Sequence, residues 1–116
     1  MTLREFYDAI GGNYEETLRR IPREAMVLRF VQKYAADGTF QMLTQAIQAA
    51  DWETAFRAAH TLKGVAQNLG FDALYQVSAT LTEAMRGNVP LQDMGLYQAV
   101  AEQQHRIEDA LGQMEA

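Results

Sequence analysis

Four residues near the middle of the chain are of types that could together move a phosphoryl group: His60, Lys63, Gly64 and Gln67. With His60 set at zero and roughly 100° of rotation per helical residue, Lys63 falls near −60°, Gly64 near +40° and Gln67 near −20°. They make one stripe about 100° wide. Ala55, Ala59, Leu62, Ala66 and Leu69 make a second, centred about 120° away. The apolar stripe needs a core, so the histidine stripe belongs at its edge or in solvent. An imidazole with an ordinary pKa of about 6.5 is largely neutral near pH 7 and has a lone pair to offer. A cation one turn away and a neighbour lacking a side chain complete a site that could receive and pass on a phosphoryl group.

The element that must carry this site runs from Asp51 to Gly70, with Asp51 suited to cap its start and Gly70 to close its end. Within it, His60-Thr61-Leu62-Lys63-Gly64-Val65-Ala66-Gln67-Asn68-Leu69-Gly70 resembles the signature of histidine-containing phosphotransfer (HPt) domains. That pattern is H-x-L-K-G, then two small residues, then a hydrophobic residue and Gly. There are two departures. Val65 is bulkier than the family's usual Ser or Ala, and Leu81-Thr82 stands where many members have Leu-Glu.

The resemblance implies an all-α fold, an antiparallel up-down-up-down four-helix bundle. It makes His60 the phosphoryl acceptor, attacking through Nε2, and Lys63 the residue that stabilises the phosphoryl charge. Gln67 would orient the ring or touch phosphate. Gly64 sits inside a helix, where glycine is costly, and close approach by a partner explains it. Phe56 and Phe6 are assigned with Gly64 to the docking surface. The expected partners are response-regulator receiver domains and a hybrid histidine kinase. The aspartate and Mg²⁺ come from the receiver, so no cofactor or metal of this chain's own is expected.

The rest of the chain reads as scaffold, a single domain over 1–116 with the bundle at about 22–114 and short helices at about 2–20. Thr2 to Ile10 is amphipathic, with Thr2 as N-cap, Glu5 three residues on, and Leu3, Phe6 and Ile10 on one face. Gly11-Gly12 ends it, and Asn13 caps a second helix to about Arg20. These two helices cover one end of the bundle, or else Phe6, Tyr7 or Ile10 joins a docking surface as the resemblance implies. Pro22 suits the first turn of the next helix.

From Arg23 to Ala50 the apolar phase shifts, from Val27, Phe30, Val31 and Tyr34 to Phe40, Leu43 and Ile47. A break at Gly38 is expected, with Gly38 as C-cap and Thr39 as N-cap. A continuous helix is the alternative, since an internal glycine costs only about 1 kcal/mol. A helix over Phe71–Arg86 should bury Leu74, Val77, Leu81 and Met85. Gly87-Asn88-Val89-Pro90 stops it. The last helix, from Gln92 or Asp93 to about Met114, lines up Leu96, Val100, Ile107, Leu111 and Met114. Short connections make sequential helices antiparallel.

Composition narrows the function classes. At 116 residues and 48% hydrophobic, the chain is long enough for one core and too apolar for disorder. Its net charge of −5 argues against nucleic acid, which requires a basic face. The absence of cysteine rules out disulfides and thiolate chemistry and suits the cytoplasm. No run approaches the roughly 18 apolar residues of a membrane span, and the N-terminus has no secretory pattern. There is no Walker motif, so the chain reads as a phosphoryl carrier and not as a kinase.

A bundle with its own core has no need to dimerise, so a monomer is expected. The other histidine, His105, lies about 140° from its helix's apolar stripe among Gln103, Gln104 and Arg106, and reads as solvated. A metal or haem bundle would need Glu-x-x-His pairs, of which only Glu102 with His105 fits. The main competing function is a non-catalytic helical adaptor that binds signalling partners.

Overall fold

The computed structural model describes residues 1–115, with side chains through Met114. Among the described residues there are seven α-helices and no strand: α1 (Leu3–Ala9), α2 (Tyr14–Arg20), α3 (Glu24–Tyr34), α4 (Thr39–Gln48), α5 (Trp52–Leu69), α6 (Asp72–Ala84) and α7 (Met94–Glu115). Helix α5 packs against both α4 and α6; α6 packs on α7, and α1 on α7 as well. The chain is all-helical, as its alanine-rich, proline-poor sequence requires.

Local signals place most of the helix ends. The Thr2 hydroxyl accepts from Glu5 N at 3.1 Å while the Glu5 carboxylate accepts from Thr2 N at 2.8 Å, a reciprocal capping box. Those bonds hold the Glu5 carboxyl below its usual range. Asn13 caps α2 by accepting from Glu16 N at 3.0 Å, and Asp51 caps α5 by accepting from Thr54 N at 3.2 Å. Gly70 closes α5 in the left-handed region (φ 71°, ψ 27°), where glycine carries no Cβ penalty.

The break between α3 and α4 is real, but its caps differ from expectation. Helix α3 ends at Tyr34 with Ala35 as its C-cap, and Gly38 precedes α4 at φ −93°, so glycine's left-handed freedom is not used there. Thr39 is the first helical residue and not the cap. Asp37 does that work, its Oδ1 accepting from Thr39 N at 2.8 Å. Phe30 also departs from the expected core stripe, with 37% of its surface exposed.

The core takes Val27, Val31 and Tyr34 from α3, Leu43 and Ile47 from α4, and Ala55, Ala59, Leu62, Ala66 and Leu69 from α5. Phe71 is fully buried at its centre, with ring centroids 6.0 Å from Phe6, 5.8 Å from Tyr7 and 5.4 Å from Tyr34. Burying one such ring contributes on the order of 1.5–3 kcal/mol. In α6, Leu74 and Leu81 are buried as expected, and Met85 just beyond it. Val77 is only half-buried; Ser78 and Thr82 take the inner face instead. Thr82 can do so because its hydroxyl donates to the Ser78 carbonyl at 2.7 Å. Ser78 Oγ has no partner. Across the core, the Tyr34 hydroxyl donates to Gln104 Oε1, which brings a polar residue of α7 inside.

The carbonyls at the end of α5 lack partners within their own helix. Groups from the first two helices and the loop between them supply these partners. Leu69 O accepts from the Tyr7 hydroxyl at 2.6 Å and from Thr17 Oγ1 at 3.3 Å. Gly70 O accepts from Asn13 N at 2.8 Å, and Gln67 O from Arg20 Nη2 at 3.1 Å. The long helix is thereby fixed at its C-terminal end.

Candidate functional site

With α5 anchored, its two stripes separate as the wheel requires. Ala55, Ala58, Ala59, Leu62, Ala66 and Leu69 are buried, while His60 stands exposed between Ala59 and Thr61. Lys63 and Gly64 are half-buried and Gln67 is exposed. A Cβ built on Gly64 meets nothing within 4 Å, so tight packing within this chain does not account for the glycine.

Phe56, one turn before His60, is half-buried and its ring lies parallel to the imidazole, with centroids 6.1 Å apart and planes 7° apart. Such offset stacking gives the imidazole one flat neighbour. The Arg86 guanidinium sits over the same Phe56 ring, 5.4 Å from its centroid. Arg86 is in turn held by both oxygens of Glu83, Nε to Oε2 at 2.9 Å and Nη2 to Oε1 at 2.6 Å. That pair lowers the Glu83 carboxyl, with a smaller contribution from the positive charge of Lys63, and raises the Arg86 guanidinium. The site therefore joins α5 to the C-terminal end of α6 and the turn after it: His60, Lys63 and Phe56 from α5, Glu83 from α6 and Arg86 from the turn.

Glu83 and Arg86 were not legible as site residues. Where the resemblance has an acid, Thr82 is fully buried, and the carboxylate near the histidine comes one residue later. The signal available was Glu83 and Arg86 at i, i+3, in register with the outer face of a helix that follows the histidine helix through a short turn. Phe6 requires a correction. It is completely buried, as are Tyr7 and Ile10, so none of the three offers a docking surface. A seven-residue helix with one apolar face turns that face inward, because the core next to Phe71 is where it loses most water contact.

On the other flank of α5, Val65, Asn68 and Leu69 face Ile21, Phe30 and Tyr34 across a groove of about 330 Å³. His105 is exposed and meets the Phe40 ring edge-on at 6.1 Å. Among the described residues, no three His, Asp or Glu side chains come together as a metal site, and no helix is long and apolar enough to cross a membrane.

The family model for the Hpt domain matches residues 33–116, from the last turn of α3 onwards. No curated protein and no solved structure matches the chain.

Proposed function

Because the chain belongs to the Hpt domain family, whose general role is phosphotransfer in two-component signalling, we propose that it is a phosphorelay carrier acting through His60. The imidazole accepts a phosphoryl group from the aspartyl phosphate of one receiver domain and passes it to another. The observation that carries this reading is the exposure of His60 on a helix whose opposite stripe is buried, with Lys63 one turn away and open space over Gly64.

In the forward step a neutral ring nitrogen attacks phosphorus. The phosphorus–nitrogen bond forms as the bond to the aspartate oxygen breaks, and the aspartate leaves as carboxylate. Such transfers are loose and need little covalent help, so positioning and charge neutralisation carry the catalysis. Phe56 holds the ring's plane, Lys63 meets the charge on the transferring oxygens, Arg86 is a second cation within the cluster, and Gln67 lies further along the same exposed stripe. Gly64 leaves room for the receiver, which supplies Mg²⁺ with its aspartate.

The finer architecture that fits this role is an antiparallel up-down-up-down bundle over about 22–114, with the helices at 2–20 covering one end. Receiver domains and a hybrid kinase are the partners, and the carrier works as a cytoplasmic monomer. Incubation with a phosphorylated receiver tests the reading. Wild type should take an acid-labile label and His60→Gln should take none while keeping its helix content. No label on wild type, with binding retained, would make the protein an adaptor instead.

A further inference from the structure

Resting on His60 as the acceptor, we infer that Glu83 is an internal stand-in for the phosphoryl group: it holds Arg86 over Phe56 until His60 is phosphorylated, whereupon the guanidinium moves to the phosphohistidine. In the unmodified protein Arg86 is held by Glu83, with two donors on two oxygens of one carboxylate at 2.9 and 2.6 Å. This fork-on-fork arrangement is the one a phosphoryl group would also use. The guanidinium and the imidazole share one ring as neighbour, Arg86 above Phe56 and His60 parallel to it.

Through Arg86, the Glu83 carboxylate places one negative charge beside the ring on which His60 stacks, where a phosphohistidine would bring nearly two.

The pair is suited to exchange. Both side chains are more than half exposed, so solvent screens their attraction and either partner is released cheaply. A phosphoryl group brings a larger charge and three acceptor oxygens, and it outcompetes a single carboxylate for one guanidinium. Glu83 would also repel that group unless Arg86 moved between them. Lys63 differs, as it has no ion-pair partner among the described residues and is free to meet phosphate from the outset. Glu83 thus sets how strongly the carrier retains its phosphate without touching the acceptor.

The test loads His60 with phosphoramidate, a small donor that requires no receiver, and follows two signals by NMR. The Arg86 Nε–H resonance should shift on phosphorylation of wild type. The proton affinity of the phosphoryl group, read from a ³¹P pH titration, should rise about threefold in Arg86→Gln and fall about twofold in Glu83→Gln. The Glu83→Gln change should largely vanish when made in the Arg86→Gln background, and Arg86→Lys should restore only part of the wild-type value. An unmoved Arg86 resonance overturns the inference. So does an undiminished Glu83→Gln effect without Arg86, because Glu83 would then act by its charge alone. Loading by phosphoramidate with no exchange to any receiver would sink the relay reading and leave the inference standing; failure of His60 to load at all would sink both.

Discussion

Replacing Gly64 with alanine should separate stability from function in opposite directions. A Cβ at this position meets no atom within 4 Å, and the residue lies well inside an 18-residue helix. Alanine should therefore gain the full helix-interior difference, about 0.8–1 kcal/mol. For a chain of this length that corresponds to a rise in Tm of about 4 °C. The same methyl projects about 40° around the helix from His60, into the space through which a receiver would approach. A close-fitting surface typically loses about 1–3 kcal/mol on overpacking, so KM for the receiver should rise about tenfold while a small phosphoryl donor is unaffected. Urea unfolding and transfer kinetics on the same preparation measure both. An alanine variant more stable than wild type but equally fast with receivers would show that the opening above Gly64 serves no partner. A less stable variant would mean that the space is filled.

Other perturbations act on parts of the same construction. Lys63→Ala should slow transfer from a receiver about tenfold or more with an unchanged circular dichroism spectrum, since it removes a charge-assisted contact and no core packing. Tyr7→Phe should cost about 1 kcal/mol in urea unfolding, with Thr17 Oγ1 remaining on the Leu69 carbonyl as partial compensation. Burial pushes the Tyr7 phenol up to about 12, from 10.0 in the unfolded chain. Its contribution is therefore complete below pH 10 and is lost as pH rises from 10 to 12, because there the unfolded state binds fewer protons. Tyr7→Phe should flatten that decline by up to about 2–3 kcal/mol; equal slopes would contradict it. Gly70→Ala should destabilise by more than about 1 kcal/mol, since φ is 71° and the new Cβ would overlap Thr17 Oγ1.

Local chemistry proved readable where a side chain acts on its own helix. Thr2 with Glu5, Asn13, Asp51 and Gly70 each mark a terminus within a few residues, and the alanine stripe of α5 could face only inward. Two other features depended on tertiary neighbours. The apolar pattern favours Val77 for the inner face, yet Thr82 is buried there because its hydroxyl bonds the carbonyl one turn back, while Ser78 is buried beside it with its hydroxyl unpartnered. Glu83 and Arg86 are ordinary surface residues until α6 is laid beside α5, and only then does Arg86 reach the Phe56 ring on which the histidine stacks. Phe6 differs for another reason: the resemblance implies a docking role, whereas the amphipathic pattern of Leu3, Phe6 and Ile10 already points to the core, where all three are buried.

The family match begins at residue 33, but the groups that complete the histidine helix lie before it. Tyr7, Asn13, Thr17 and Arg20 satisfy the carbonyls of Gln67, Leu69 and Gly70, while Phe6 and Tyr7 pack on Phe71 immediately after. An imidazole on a fraying helix would sample many orientations, and phosphoryl transfer is sensitive to errors of about 1 Å in position. In the proposed role the histidine stripe would supply the chemistry, and residues 1–32 would act at a distance from it. Their contribution is to hold the end of α5 still, so that His60, Phe56 and Lys63 keep a fixed relation to Glu83 and Arg86. Selection on such a segment would act on its fit to the helix end and to Phe71, and its outer surface would be free to vary with the partner.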